Sequence, residues 1–142
     1  MKYTFEIHEK AIGKERPRYS AITHRMYTPI KTSTFEEKVK NAFLAKYNIQ
    51  TEPTEKPLEA IIKVQFMPPE SLSKNKKNAL LFTPYDKKPD CDNLAKAILD
   101  SLNGLAYKDD KQITYLSIEK IYGLENKIEV NLEETTIWKE KT

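Results

Sequence analysis

Regular alternation of apolar and polar residues marks four segments of the chain and predicts that each forms a β-strand. At the N-terminus, Tyr3, Phe5 and Ile7 alternate with polar residues, a period of two that is typical of a half-buried strand. The clearest alternation covers residues 58–66 and is followed by Pro68 and Pro69, which end the predicted strand. The four predicted strands cover residues 1–8, 58–66, 112–122 and 127–132.

Two other segments repeat their apolar residues at helical spacing. The apolar residues of the first are Phe35, Val39, Phe43 and Tyr47. The sequence from Ser33 to Glu36 matches a capping box, so a helix of about four turns is predicted to start there.

The second helical segment follows Asp92, which occupies the position of an N-cap. Leu94, Ile98 and Leu102 line one face of this helix. The pair at 103–104, Asn-Gly, supplies the left-handed residue that ends many helices.

The order of these elements predicts an α+β fold: one domain over residues 1–142, with a mixed β-sheet covered by two helices. Two long polar segments interrupt it. A basic arm over residues 10–31 shows no sustained periodicity and is predicted to be a loop or flexible arm, and a basic loop over residues 70–89 has room for one short helix. Loops of this length in a compact domain are usually functional.

The composition excludes several classes of protein. With one cysteine, Cys91, and two histidines, His8 and His24, the chain forms no internal disulfide or standard four-ligand zinc site, so any metal site must be rich in oxygen ligands. No apolar run reaches the length of a membrane span. Residues 1–8 lack the continuous apolar stretch of a secretory signal. We therefore expect a cytoplasmic protein with no membrane partner.

The net charge of +3 is distributed unevenly. The arm contains six Lys or Arg residues and one Glu, whereas residues 109–142 carry more acids than bases. A basic segment of this kind fits contact with nucleic-acid phosphates. Tyr19 and Tyr27 are interleaved with the arm's basic residues and fit stacking on bases. The alternative is a solvated basic loop.

Candidate chemistry lies between the basic loop and the third predicted strand. Asp90 and Asp92 are two residues apart, and Pro89 disfavours helix before them, so both carboxylates are expected on one side of an extended segment. A third acid, Asp109 or Asp110, follows the predicted helix. Three carboxylates converging on one cation would suit Mg²⁺, which prefers oxygen ligands and shares its coordination with substrate phosphate.

Lys96 lies one helical turn beyond Asp92, where its ammonium would contact a scissile phosphate or orient water. The simpler interpretation is that the acids only cap a helix and a turn, and that Lys96 pairs with Asp92 or Asp100. Other proteins with an Asp-x-Asp motif fit less well. An EF-hand needs a glycine and a closing glutamate that residues 95–101 lack. Haloacid-dehalogenase phosphatases have a buried apolar strand before the motif, whereas the residues before it in this chain are Lys87, Lys88 and Pro89.

A combination of motifs is more specific. The Asp-Cys-Asp-Asn-Leu run at 90–94 is followed by Lys96, by a Leu-Asp-Ser-Leu-Asn-Gly helix end at 99–104 and by Asp-Asp-Lys-Gln at 109–112. Together these motifs resemble the signature of the RusA family of Holliday junction resolvases. Residues 14–18 and 27–31 of the arm are also similar to the N-terminal part of Gram-positive and phage members of that family.

The resemblance implies the roles of the site residues. Asp90, Asp92 and Asp110 would be the catalytic carboxylates that bind the metal, and Lys96 the essential basic residue. The implied cofactor is Mg²⁺, for which Mn²⁺ would substitute.

The resemblance also implies an activity: a homodimer that binds four-way DNA junctions and makes paired, symmetric nicks, in DNA recombination and repair. The two-fold symmetry of a junction suits a two-fold dimer. Two alternatives stay open. One is a less selective flap or single-strand nuclease with the same metal site, and the other is a nucleic-acid-binding module without enzymatic activity.

Several remaining residues are assigned roles in packing or DNA contact. Cys91 is expected to pack toward the core, Asp100 to balance charge within its helix, and Trp138 to anchor the tail or an interface, while His8 and His24 receive no catalytic role. The candidates for DNA contact are Lys14, Arg16, Arg18, Arg25, Lys31, Lys74, Lys76, Lys77, Lys87 and Lys88.

Overall fold

The structure is a computed structural model that describes residues 1–48 and 52–135. The strands in these residues are β1 (Lys2–Ile7), β2 (Arg18–Ser20), β3 (Arg25–Tyr27), β4 (Leu58–Phe66), β5 (Ile113–Tyr122) and β6 (Lys127–Glu134). The α-helices are α1 (Ile30–Lys46), α2 (Lys74–Leu80) and α3 (Cys91–Ser101). All four predicted strands are confirmed, and Trp138 lies outside the described residues.

Four strands form one mixed sheet in the order β1-β6-β4-β5. Strands β1 and β4 lie antiparallel on either side of β6, and β5 runs parallel to β4. Parallel neighbours need a long crossover connection. In this chain the crossover contains α2 and α3, so the segment with the candidate chemistry is the crossover itself.

The hydrophobic core lies between one face of the sheet and helices α1 and α3. Alternate residues of β4, from Leu58 to Phe66, are at most 1% exposed. Helix α1 contacts β1, α3 contacts β5, and the two helices contact each other, whereas α2 has no buried residue. The predicted α+β fold, with a mixed sheet covered by two helices, is confirmed.

Helix α1 begins at Ile30 with Pro29 as its N-cap, three residues before the predicted capping box. The carbonyl oxygen of Pro29 accepts the first helical hydrogen bond from the Ser33 N–H at 3.1 Å. The Ser33 hydroxyl donates to the carbonyl oxygen of Ile30, and no side chain caps the helix. The predicted capping box was wrong because Ser33 already lies inside the first turn.

Helix α3 begins at Cys91, with Asp90 rather than Asp92 as its N-cap. The Asp90 carbonyl oxygen accepts a hydrogen bond from the Leu94 N–H at 3.0 Å, so the helical hydrogen bonds start two residues earlier than predicted. The prediction that Asp92 caps the helix, with both aspartates on an extended segment, was therefore wrong. The predicted stop is confirmed by Gly104, which has a φ of +78°.

The basic arm contains a hairpin, β2–β3, in which Arg18 pairs with Tyr27. The prediction of a loop was wrong for these residues because strands of three residues are too short to show a period. The short helix allowed for in the basic loop is α2, whose N-cap Ser73 accepts a hydrogen bond from the Lys76 N–H. None of the helices in the described ranges is long and apolar enough to cross a membrane.

Candidate active site

Helix α3 buries its apolar residues against the sheet and leaves one charged row at the surface. Asp92, Lys96 and Asp100 follow one another at intervals of four residues, which places them along one side of the helix. The Lys96 side chain is 63% exposed, and its Nζ lies 3.8 Å from Asp100 Oδ2. The predicted charge balance between Lys96 and Asp100 is therefore present.

Asp90 lies just before this row, at the N-cap of α3. Its carboxylate makes no capping hydrogen bond, and both Asp90 and Asp92 are exposed. Neither carboxylate forms an ion pair with any residue that the structure describes. Acids near a helix N-terminus interact favourably with the helix dipole, so both carboxylates are held in place by backbone geometry while their oxygens stay accessible.

The two acids that follow the helix differ in their contacts. Asp109 caps a short 3₁₀ turn, Asp110–Gln112: its Oδ1 accepts from the Lys111 N–H at 2.9 Å, and the Gln112 side chain accepts from the Asp109 N–H. This backbone hydrogen bond is the main reason that the pKa of Asp109 lies below its ordinary value. Asp109 thus has a structural role in capping this turn.

Asp110 is half-buried beside Asp100. A hydrogen bond to the Asp100 side chain, burial, and a further hydrogen bond to Asp109 raise the pKa of Asp110 to about 6. Two carboxyl groups this close repel each other when both are ionised, so one of them keeps its proton to a higher pH. A divalent cation would relieve the same repulsion.

Asp100 is the residue whose importance the sequence did not reveal. Besides Lys96 and Asp110, it contacts Lys14, whose Nζ lies 3.6 Å from Asp100 Oδ2 and also pairs with the carboxylate of Glu36. The spacing of four residues between Asp92, Lys96 and Asp100 was the feature of the sequence that could have indicated the importance of Asp100. The contacts with Asp110 and Lys14 come from distant parts of the chain, so no local pattern contains them.

The root of the basic arm packs against the first turn of α3. The Lys14 N–H donates to the Asn93 carbonyl oxygen at 2.9 Å. At Gly13 an added Cβ would lie 3.0 Å from Pro89 Cβ and 3.1 Å from Asn93 Cβ, so glycine permits the close approach. Lys14 differs here from the other arm cations, because its side chain is only 19% exposed.

The Lys14 ammonium is strongly paired. Burial lowers its pKa, but the hydrogen bond and the charge of Glu36, together with the charge of Asp100, outweigh this effect and raise the pKa. The remaining predicted DNA-contact residues are exposed, except for Lys77, which is half-buried. Tyr19 and Tyr27 on the hairpin are 59% and 47% exposed.

The predicted convergence of three acids is not preformed. In residues 1–48 and 52–135 no three His, Cys, Asp or Glu side chains lie close enough to hold an ion. Asp110 pairs with Asp100, which lies two helical turns, or ~12 Å along the axis, beyond Asp92. The donor chemistry nevertheless fits Mg²⁺, since the acids offer only oxygen atoms and Asp90 and Asp92 make no competing ion pair with the residues that the structure describes.

The raised pKa of Asp110 generates a prediction for the metal-free protein. A carboxyl group whose pKa is raised by folding stabilises the fold below its unfolded pKa, and this contribution is lost as pH rises through about 6. We expect Asp110→Asn to gain stability relative to the unsubstituted chain as pH rises from about 4 to about 7. Urea unfolding in chelator at several pH values measures this difference.

Asp109→Asn is the matched control with the opposite sign. The pKa of Asp109 is lowered, so its contribution to stability is present above its unfolded pKa and is lost as pH falls. The Asp109 variant should therefore be weakest relative to the unsubstituted chain at neutral pH. If the stabilities of both variants relative to the unsubstituted chain changed with pH in the same direction, the assignment of the cap to Asp109 and of the carboxyl pair to Asp110 would be wrong.

Comparison with known proteins supports the resemblance seen in the motifs. Residues 9–133 match the family described as Endodeoxyribonuclease RusA. The chain is also 31% identical over 139 residues to the Uncharacterized protein YqaN of Bacillus subtilis (strain 168), a similarity that covers 93% of this chain and 96% of the relative. The matched family span contains the arm, the α3 row and both acids at 109–110. The chain therefore belongs to the RusA family of endodeoxyribonucleases.

Proposed function

We propose that this nuclease is a Holliday junction resolvase. It acts as a homodimer that binds four-way DNA junctions and makes paired, symmetric, Mg²⁺-dependent nicks in opposing strands, during DNA recombination and repair. The observation that carries the proposal is the charged row of α3 beside Asp90 and Asp110, within a chain of this family. Exposed basic residues in the arm and in the basic loop support DNA as the substrate.

Asp90, Asp92 and Asp110 would hold the cation. When bound, Mg²⁺ supplies charge neutralisation at the phosphodiester and activation of water. The role of the protein is to present Asp90 and Asp92 at the start of α3 and Asp110 on the 3₁₀ turn before β5. Asp109 supports this role because it fixes the turn that carries Asp110.

Lys96 is the residue suited to contact the scissile phosphate. Its ammonium is exposed and lies in the same helical row as Asp92, so it would stabilise the negative charge that develops on the phosphate oxygens in the transition state. Asp100 lies within 3.8 Å of this ammonium and restricts its position. Lys87 and Lys88 are exposed just before Asp90 and would hold the strand that is cut.

The arm would supply most of the sequence-independent affinity. Its hairpin extends exposed arginines and tyrosines away from the core, while its root is fixed to α3 through Lys14. Phosphate contacts position a protein on DNA without reading sequence. A hairpin anchored at the active site would therefore align the DNA with the cut.

The direct test of the proposed function uses a supercoiled plasmid with an extruded cruciform. Two coupled nicks within one bound lifetime give a linear product directly, whereas a single uncoupled nick releases the supercoiling and reabsorbs the cruciform. We expect linear plasmid as the first product, and much slower cutting of a linear duplex of the same sequence. Nicked circles as the main product, or equal cutting of duplex, would leave a nuclease that is not a resolvase.

Asp92→Asn tests the metal-binding carboxylates. Asp92 is exposed in the first turn of α3, so asparagine preserves the packing but removes a negative ligand. Cleavage should fall by more than the roughly 10–100-fold typical of changes outside the coordinating residues, while junction affinity in chelator is retained. Asp86→Asn, the same change at an exposed position near the start of α3, should cut normally. Unaltered nicking by the Asp92 variant would refute its role.

Arg16→Ala combined with Arg18→Ala tests the arm. Loss of two phosphate contacts should weaken binding to every DNA structure and reduce the slope of log affinity against log salt by about two units. Lys2→Ala combined with Lys63→Ala is the control, because it removes the same charge from the sheet face opposite the helices. Equal salt slopes for the two double variants at matched ionic strength would mean that the arm is only a solvated loop.

A further inference from the structure

The loop between α2 and α3, residues 81–90, leads directly into Asp90 and is held by the last residues of β5. The Phe82 N–H donates to the Tyr122 carbonyl oxygen at 2.9 Å, and the Tyr122 N–H donates to the Thr83 carbonyl oxygen at 3.0 Å. The Tyr85 N–H donates to the Lys120 carbonyl oxygen, also at 3.0 Å. The first half of the loop therefore lies along the edge of β5.

The second half of the loop is held by a side chain. Lys120 Nζ donates to the carbonyl oxygen of Lys87 at 2.7 Å and to that of Pro89 at 2.8 Å. The Pro89 carbonyl belongs to the peptide group that contains the backbone nitrogen of Asp90. The Lys120 ammonium thus fixes the peptide plane from which the Asp90 carboxylate projects.

Lys120 occupies a position where the fold favours an apolar residue. It pairs with Val64 in the register of β4 and β5, and it lies between Ile118 and Tyr122 on the sheet face that the helices cover. Placing an ammonium there carries a desolvation cost unless the charge is well solvated by the protein. Two carbonyl oxygens provide that solvation, together with the Tyr85 ring, whose centroid lies 5.6 Å from Nζ.

The Tyr85 ring is itself fixed. It stacks on Phe66 with a centroid distance of 4.1 Å and meets the edge of Tyr122 at 5.0 Å, and its hydroxyl donates to the Lys88 carbonyl oxygen at 3.3 Å. The support for Asp90 therefore runs from the core, through Tyr85 and Lys120, to the backbone on the N-terminal side of the carboxylate. An apolar side chain at 120 would fill the same space but would leave both carbonyl oxygens without this donor.

We propose that Lys120 is a positioning residue of the nuclease site, which holds the Asp90 carboxylate in the place where it binds the divalent cation. The inference rests on the proposed function, because it takes Asp90 as a ligand of that cation. It assigns Lys120 no contact with DNA. Loss of the ammonium should therefore weaken metal binding and leave the affinity for DNA unchanged.

The test compares Lys120→Met, which keeps length and packing but loses the donors, with Lys120→Arg, which keeps donors. Lys63→Met is the matched control, since it makes the same change on the opposite face of the sheet. The metal-free protein is measured for Mn²⁺ binding by electron paramagnetic resonance, for hydrogen exchange of residues 86–92 and for thermal unfolding in chelator. The Mg²⁺ dependence of cleavage, the KM for the junction and the salt dependence of DNA binding are measured alongside.

We expect Lys120→Met to weaken Mn²⁺ binding about ten-fold to a hundred-fold and to speed amide exchange in residues 86–92. The Mg²⁺ concentration needed for half-maximal cleavage should rise by a similar factor, with no change in KM for the junction. Lys120→Arg should recover part of both losses, and Lys63→Met should match the unsubstituted chain. If Lys120→Met only lowers the unfolding temperature and binds Mn²⁺ normally, Lys120 has a packing role and the proposal is wrong.

Two further outcomes separate this proposal from the proposed function. Weaker DNA binding by Lys120→Met, with a shallower salt dependence and unchanged Mn²⁺ affinity, would make Lys120 a phosphate contact and would overturn the positioning role. If the unsubstituted chain binds Mn²⁺ tightly but makes no coupled nicks, the resolvase assignment fails while the Lys120 comparison still stands. If the unsubstituted chain binds no Mn²⁺, the metal site assumed by both proposals is refuted.

Discussion

Helix α3 completely buries Leu94 and Ile98, together with its C-cap residue Leu102, and the arrangement of the site depends on this packing. A helix that buries one face in a close-packed core has a single favourable rotation about its axis. That rotation places Asp92, Lys96 and Asp100 on the surface as a row. The crossover between two parallel strands thus acts as a rigid support for charged groups that a flexible loop would leave scattered.

Charge balance around the row is provided by residues from several elements. Lys14 comes from the arm, Glu36 from α1, and Asp110 from the 3₁₀ turn before β5, and all of them meet at or near Asp100. In the absence of a cation, the contact with Asp100 raises the pKa of Asp110, and Lys14 compensates part of the negative charge of Asp100. The acids of the site are therefore held by opposing interactions that a cation would rearrange.

The arm is packed against the site at its root and carries the hairpin that is proposed to bind DNA. Gly13 and Lys14 are packed against α3, whereas the hairpin beyond them exposes nearly all of its side chains. One segment therefore contributes both a residue of the internal charge network and the surface proposed to bind DNA. The hydrogen bond from the Lys14 N–H to the Asn93 carbonyl oxygen connects the root of the arm to α3.

Much of the fold followed from the sequence, because strands β1, β4 and β6 alternate over six or more residues and each buries one face. The starts of α1 and α3 did not follow, since Pro29 and Asp90 begin the helices through their backbone carbonyls and a side-chain pattern does not record this. The hairpin was too short to show a period.

The candidate site was only partly predictable for a different reason. Asp90, Asp92 and Lys96 form a local motif that the sequence displays. The contacts of Asp100 with Asp110 and Lys14, and those of Lys120 with the backbone before Asp90, join residues far apart in the chain. Such contacts depend on strand order, which the sequence pattern left undetermined.

The central claim is that Asp90, Asp92 and Asp110 hold one divalent cation, although the metal-free arrangement keeps Asp110 beside Asp100. Anomalous scattering from a crystal grown with Mn²⁺ tests this most directly. We predict a manganese peak in each subunit with oxygen atoms of all three carboxylates in its coordination sphere. A peak held by Asp100 and Asp110 without Asp90 and Asp92, or no peak at saturating Mn²⁺, would contradict it.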